Sequence, residues 1–358
     1  MKHLGAETAS ARSAAAPITI REMGEGDRES WDRFVADCPD GTFFHLSGWR
    51  RIMQEVFRHR TLYLLAERAG DIVGVLPVSE VKSSLFGHSV VSLPFCVYGG
   101  CAVTDSAAVS PLHTRAWEFC QDRGADYLEL RNRTLREAEW LRQDLYVSFR
   151  RDILPDVEAN MLAIPRKQRA MVRKGIKAGL RSEIDSDVER FFRLYADNVR
   201  RHGTPPLPKE YFRSLQREFG QQAEVLTVID TEGRPVSSVL TFYFRDEVLP
   251  YHAGDLERAR DLAANDFKYW ELMRRGCERG YRVFDYGRSK VGTGSHDFKK
   301  NWGFEPQPLH YEFRLRRGTE LPQKNPLNPK YQLLIKAWRR LPLPVANMLG
   351  AYLTRHLS

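Results

Sequence analysis

Glu278-Arg279-Gly280-Tyr281-Arg282-Val283-Phe284-Asp285-Tyr286 has a near copy earlier in the chain, Asp122-Arg123-Gly124-Ala125-Asp126-Tyr127-Leu128-Glu129-Leu130. In both, a charged pair ends a helix, a glycine stops it and an apolar strand follows. The helices leading into them each carry one apolar stripe, at Leu112, Ala116, Phe119 and Cys120 and at Phe267, Trp270, Met273 and Cys277. Moving outward, Leu64-Leu65-Ala66-Glu67-Arg68-Ala69-Gly70 turns into Ile72–Val78, just as Leu226–Gly233 turns into Val236–Phe244. Further out, Trp31, Phe34, Val35 and Cys38 share their spacing with Val188, Phe191, Phe192 and Tyr195, the latter preceded by the capping-box pattern Ser186-x-x-Glu189. The chain therefore reads as two copies of one unit: helices, an antiparallel run of strands, a helix and a further strand.

The expected fold class is α/β (α+β), with two tandem domains whose mixed, largely antiparallel sheets are flanked by helices. Domain 1 is expected over residues 17–155 and domain 2 over 156–317. A disordered N-terminus, 1–16, precedes them, and a Pro-rich strap with an amphipathic helical tail, 318–358, follows. At 358 residues and 42% hydrophobic content the chain can bury cores for about two domains. The formal charge of +9 favours anionic partners: phosphorylated metabolites, nucleic acid or acidic lipid heads.

Five scattered cysteines without a C-x-x-C pair argue against a disulfide framework and against a zinc site. Residues 1–16 lack the continuous apolar core of a signal peptide, and no run approaches the ~18 apolar residues needed to span a bilayer. The expected location is the cytoplasm, with attachment to the inner face of its membrane left open. That attachment would run through residues 328–358, where Tyr331, Leu334, Ile335 and Trp338 line one amphipathic helix and Val345, Met348, Leu349, Tyr352 and Leu353 a second. A helical pair closing over its own core is the competing reading.

Between the halves, Pro165 suits a first helical turn. Arg166, Arg169, Arg173 and Lys177 then recur at helical spacing beside Lys167 and Lys174. Such a stripe can neutralise phosphates or simply be a solvated basic face.

The element order β, two helices, three strands, helix, β, helix, two strands resembles the GNAT acyltransferase fold, and its tandem repetition resembles the FemAB family of aminoacyl and acyl transferases. Leu93-Pro94-Phe95 with Tyr98-Gly99-Gly100, Pro165-Arg166-Lys167-Gln168-Arg169, and Phe284-Asp285-Tyr286-Gly287-Arg288-Ser289 through Phe298-Lys299 look like the FemAB-like branch associated with exosortase and PEP-CTERM exopolysaccharide loci. The resemblance covers residues 18 to 358. It implies transfer of an acyl or aminoacyl group onto an amine of a cell-envelope precursor, a nucleotide- or lipid-linked sugar or peptide.

In that family the Phe-Lys pair near the end of the second half is implicated in catalysis, which here matches Phe298-Lys299. Lys299 would stabilise a tetrahedral oxyanion or hold a donor phosphate. Asp285 would receive the amine proton, orient Arg288, or hold the turn as a structural carboxylate. Arg288 and Ser289 would grip an anionic substrate. Tyr251 and His252 alternate along the expected strand Val248–Asp255, so one of them should face the cleft, with His252 either a base or a hydrogen-bonded core residue. Trp49 and Tyr98 are further candidates for lining a groove, and Arg166, Lys167, Arg169 and Arg173 for meeting phosphate.

Simple GNAT enzymes hold the coenzyme A pyrophosphate on a glycine-rich loop at a helix N-terminus. The corresponding segment here, Asp255–Ala264, has no glycine. No tightly bound cofactor or metal is expected, and the donor is aminoacyl-tRNA or acyl-CoA. An acyl-CoA-dependent N-acyltransferase of exopolysaccharide biosynthesis and a non-catalytic basic module that gathers an envelope export complex or binds RNA at the membrane remain the alternatives.

Overall fold

The computed structural model describes residues 16–83, 87–321 and 335–356. The expected tail residues Tyr331 and Leu334 and the prolines at 322, 326 and 329 lie outside them, as does all but the last residue of the N-terminal segment. The chain forms two compact units, one from the chain up to Gln143 with Leu309–Leu321, the other from Asp144–Pro308 with the C-terminal segment to Arg355.

The first unit opens with β1 (Ile18–Glu22), α1 (Arg28–Asp37) and α2 (Gly48–Glu55). Strands β2 (Arg60–Arg68), β3 (Asp71–Ser83), β4 (Gly87–Val91) and β5 (Ala102–Val103) follow, then α3 (Val109–Asp122), β6 (Tyr127–Asn132) and β7 (Leu141–Arg142). Its sheet runs β1-β2-β3-β4-β6-β15-β7, with β5 on β3, and the added strand β15 spans His310–Leu315. Only β4 and β6 run parallel; the other pairs are antiparallel. Alternate residues Leu62, Leu64, Ala66, Leu76, Val78, Leu128 and Leu130 point to one side and pack on Leu112, Ala116 and Cys120 of α3. This is the period-2 against period-3.6 match that the repeat implied.

The second unit begins with β8 (Tyr146–Asp152), α4 (Val157–Ala163), α5 (Arg166–Lys177) and β9 (Arg181–Asp185). It continues through α6 (Glu189–His202), α7 (Lys209–Phe219), β10 (Ala223–Ile229), β11 (Pro235–Phe244) and β12 (Glu247–Asp255). It ends with α8 (Ala264–Glu278), β13 (Val283–Lys290), α9 (Gly294–Asn301), β14 (Pro306–Pro308) and α10 (Leu343–Leu353). The sheet order β14-β8-β13-β12-β11-β10-β9 repeats the first, again with one parallel pair, β12 with β13. Leu226, Val228, Val239, Val248, Phe284 and Tyr286 bury against Phe267, Trp270 and Met273 of α8. Two tandem units with mixed, largely antiparallel sheets are thus the architecture, as the repeat led us to expect. The glycines that end α3 and α8, Gly124 and Gly280, sit at φ +65° and +80°, where an L side chain would be strained.

Two details differ from the sequence reading. The strand before residue 155 pairs in the second sheet and the strand at 310–315 in the first, because β6 and β13 each need an antiparallel neighbour on the edge away from their parallel partner, and periodicity does not say which segment supplies it. The capping box at Ser186 is not formed either. Asp187 Oδ1 accepts from the Glu189 N–H at 2.8 Å, leaving the Glu189 carboxylate to pair with Lys209 and Arg213.

Candidate functional site

The parallel strands β12 and β13 touch only at Glu247 with Val283 and Val248 with Phe284. Past that point they separate, so Leu249–Asp255 and Asp285–Lys290 have no ladder between them. That gap is where backbone groups become available to a ligand.

On the β13 side the backbone is bulged. Asp285 pairs with Arg150 and Arg288 with Ser148, so Tyr286 and Gly287 oppose the single residue Phe149. Gly287 sits at φ +65°, a conformation that glycine adopts without a steric penalty. The consequence is unusual for a strand, whose carbonyls normally alternate in direction: those of Tyr286, Gly287 and Arg288 converge on one atom, Lys299 Nζ, at 2.7, 3.0 and 3.0 Å. An ammonium carries three donors, and here all three are used.

Lys299 reaches this position from α9, whose first turn is closed by Thr293 Oγ1 accepting from the His296 N–H. Phe298 fixes the helix by packing among Tyr269, Tyr286 and Trp302. Lys299 is only 7% exposed, and burial lowers its pKa from 10.5 to about 7 against the attraction of Asp285, with Arg288 adding a small further repulsion.

Asp285 is fully buried and accepts from the Gly287 N–H at 2.7 Å, from Arg150 at 3.1 Å and from Ser148 at 3.4 Å. Arg150 also pairs with Glu247 on β12. These partners tie Asp285 into the bulge, which favours the structural reading of this carboxylate over the base. Arg288 lies over the Tyr146 ring at 4.8 Å, and the buried Ser289 hydroxyl shares a hydrogen bond with Ser295 at 2.9 Å.

Across the gap, β12 carries its own bulge: Leu240 pairs with His252 and Thr241 with Pro250, so Tyr251 is the extra residue of the bulge. Tyr251 packs on Phe242, and His252 sits among Tyr195, Tyr211, Phe212 and Tyr251 with Tyr211 Oη 3.3 Å from its Nε2. Burial pushes the imidazole pKa down to about 3, so His252 is a neutral member of an aromatic box and too weak a base at neutral pH to deprotonate an amine.

The start of α8 bears on the donor. Ala263 takes φ +53°, and Asp266 in the first turn directs a carboxylate, 8% exposed, onto its own N–H and onto the indole N–H of Trp302 at 2.9 Å. The helix N-terminus that would attract a pyrophosphate therefore already faces an internal carboxylate.

Arg166, Lys167 and Arg173 are exposed along α5 and Arg169 is half-buried, bonded to the Leu162 carbonyl at 3.0 Å. The opposite face, Gln168, Val172 and Gly175, is buried. Among the described residues no carboxylate pairs with any of the six basic side chains of this helix.

In the first unit Trp49 is fully buried, its indole bonded to the Phe43 carbonyl at 3.1 Å, so it is a core residue rather than a groove wall. Tyr98 does line a cavity of about 150 Å³, together with Asp40, His45, Arg131, Asn132, Arg133 and Arg136. Thr42 N–H donates to His45 Nδ1, which places the proton on Nε2, donating to the Gly100 carbonyl at 2.7 Å. Asn132 is 3% exposed and its side-chain oxygen has no hydrogen-bond partner among the described residues. Apart from Tyr98, the sequence reading missed this group, which is drawn from three separate segments. Extending the internal repeat past Glu129 would have pointed to Arg131-Asn132-Arg133, the counterparts of Gly287-Arg288-Ser289. Among the described residues there is no metal-binding cluster of His, Cys, Asp and Glu.

Residues 166–300 match the family described as Acetyltransferase (GNAT) domain, whose members in general use an acyl-CoA-type donor. UDP-N-acetylmuramoylpentapeptide-lysine N(6)-alanyltransferase of Weissella viridescens is 23% identical over 108 residues, which are 29% of this chain and 32% of that enzyme, so the match spans about a third of the relative's length. The crystal structure of FemX superposes with a TM-score of 0.63 at 14% identity, covering 88% of this chain and 100% of that one. A tandem GNAT protein from the clavulanic acid biosynthesis pathway, solved without acetyl-CoA, does so at 0.53 and 11% identity, covering 85% and 100%. Residues 166–300 thus match a GNAT acetyltransferase domain, and the chain as a whole has a FemAB-like tandem fold.

Proposed function

We propose that the protein is an acyl or aminoacyl transferase that forms an amide on an amine of a cell-envelope precursor, a nucleotide- or lipid-linked sugar or peptide. The observation that carries this reading is the gap between β12 and β13, walled on one side by a backbone bulge pinned to Lys299. The amine nitrogen attacks the donor carbonyl. A C–N bond forms, the C–O bond of an ester or the C–S bond of a thioester breaks, and the amine proton ends on solvent or on the departing oxygen or sulfur.

In this reading Lys299 acts through the bulge. Its donors are spent on carbonyls, so it holds the three peptide units in place; Arg288, at the end of the bulge, contacts the substrate, while Ser289, expected to share that role, is buried against Ser295 and supports the strand end. Phe298 anchors the helix that delivers the lysine, and the exposed Arg166, Lys167 and Arg173, with the half-buried Arg169, meet phosphate groups of donor or acceptor. Aminoacyl-tRNA is the proposed donor, because the start of α8 faces Asp266 instead of an open nest of N–H groups.

The GNAT domain match favours a second reading, an acyl-CoA-dependent N-acyltransferase. An exopolysaccharide acceptor would suit it, as in the exosortase-associated branch.

Titration of the purified chain with a panel of acyl-CoA thioesters and, separately, with aminoacyl-tRNA separates the two. The expected result is saturable binding that prefers charged over uncharged tRNA and weakens steeply with salt, because phosphate contacts release counterions. Saturable acyl-CoA binding with turnover would overturn the tRNA donor and establish the second reading. Binding of neither donor would leave a non-catalytic module.

A further inference from the structure

Helix α10 is not shaped like a helix that closes over a core. It contains no charged residue, and it is pinned by small residues: Ala346 and Gly350 are buried, and a Cβ on Gly350 would lie 2.6 Å from the Pro206 ring. That seat on the second unit turns the larger apolar side chains outward. Val345, Met348, Leu349 and Tyr352, spaced i, i+3, i+4 and i+7, form one face, with Met348 67% and Tyr352 64% exposed. A soluble surface helix normally turns this stripe toward a core.

The charge around this face has one sign. From Leu321 to Ser358 the sequence contains six Lys and Arg and no Asp or Glu. Lys336, Arg339 and Arg340 precede the helix and Arg355 follows it, all exposed. Both acidic side chains of the underlying α6 are already paired, Asp197 with Arg200 and Arg201 and Glu189 with Lys209 and Arg213. An apolar stripe bordered by cations, with a tyrosine at its edge, matches an anionic lipid surface: the stripe enters the acyl boundary, while the basic groups remain among the phosphates. No helix among the described residues is long and apolar enough to cross a membrane, so contact of this kind would be lateral.

We propose that the Val345, Met348, Leu349 and Tyr352 face of α10, flanked by Lys336, Arg340 and Arg355, docks the protein on an anionic membrane surface. The occupant is lipid rather than a second protein because the border is uniformly basic on both sides of the stripe, as an extended anionic surface requires.

Flotation of the full chain with vesicles tests it. Co-flotation with phosphatidylcholine vesicles containing phosphatidylglycerol, weakened by salt and reduced on phosphatidylcholine alone, is the expected result. The double variant Met348→Ser/Tyr352→Ser should lower partitioning about tenfold or more, since both side chains lose apolar contact area, with little change in Tm because both side chains are mostly exposed. Lys336→Gln/Arg340→Gln should weaken binding to the anionic vesicles only. The proposal does not depend on the transfer reaction, and Lys299→Ala should float as the unmodified chain does. Three results would overturn it: no co-flotation with anionic vesicles, undiminished binding by the Met348/Tyr352 variant, or a dimer in solution that this variant converts to a monomer, which would make a second copy the occupant.

Discussion

Lys299→Ala is expected to lower turnover by about a hundredfold or more, the scale on which loss of a preorganised polar contact at a reacting centre acts. The reasoning runs through the backbone. Without the ammonium the carbonyls of Tyr286, Gly287 and Arg288 lose their common partner, and a bulge whose carbonyls crowd together relaxes toward a regular strand. Because Lys299 acts on geometry, kcat should fall more than KM rises.

A pH profile separates this role from a merely structural one. With its pKa at about 7, the ammonium is complete below neutrality and loses one donor above it. Activity should therefore decline on the alkaline side with an apparent pKa near 7, and Lys299→Met should lack that limb. Stability moves the other way. The pKa is lower in the folded than in the unfolded chain, so between about 7 and the ordinary 10.5 the unfolded state binds more protons, and this lysine makes the fold more stable as pH rises through that window. Turnover of Lys299→Ala within threefold of the unmodified chain would remove Lys299 from the mechanism.

Gly254→Ala should destabilise the second unit by about 3 kcal/mol, at the upper end of overpacking costs, because what a Cβ meets there is main chain. It would lie 2.3 Å from Tyr195 N, 2.4 Å from Tyr195 Cα and 2.5 Å from Leu194 C, none of which can rotate away as a side chain could. Helix α6 lies directly on β12 at this point and carries Tyr195 into the box around His252. A fall in Tm of roughly 6 to 12 °C is expected for a unit of this size. Gly294→Ala serves as the control: it opens α9, where an added Cβ has nothing within 4 Å, and should change Tm little. Equal Tm values for the two variants would show that the close approach of α6 to β12 is not needed for stability.

Much of the fold was legible in the chain because its signals are local. Gly124 and Gly280 stop helices where the pattern placed the stops, and Leu112, Ala116 and Cys120, like Phe267, Trp270 and Met273, are buried as their spacing required. The site was legible only as a neighbourhood. That Phe298-Lys299 and Asp285 through Ser289 come together could be read from their nearness in sequence, but the three carbonyls on Lys299 could not. A lysine on an eight-residue helix next to a second lysine carries no mark of burial, and a bulge at Tyr286 and Gly287 depends on pairing with Phe149, more than a hundred positions away. Trp49 shows the converse: an aromatic residue near a suspected groove that the fold uses for packing. His252 shows how burial, which residue type does not reveal, sets the chemistry of a side chain.

The partner of β6 also decides when the protein can be finished. His310–Leu315 pairs with Tyr127–Asn132, and that strand leaves the ribosome roughly 180 residues after its partner, which at ordinary synthesis rates of about 5 to 20 residues per second means some ten to forty seconds. During that interval the edge of β6 is open to any strand that can reach it, including the same edge on a neighbouring nascent chain. An expression fragment ending near residue 155 would keep that edge open permanently, and so would aggregate or stay bound to chaperones rather than behave as an independent half.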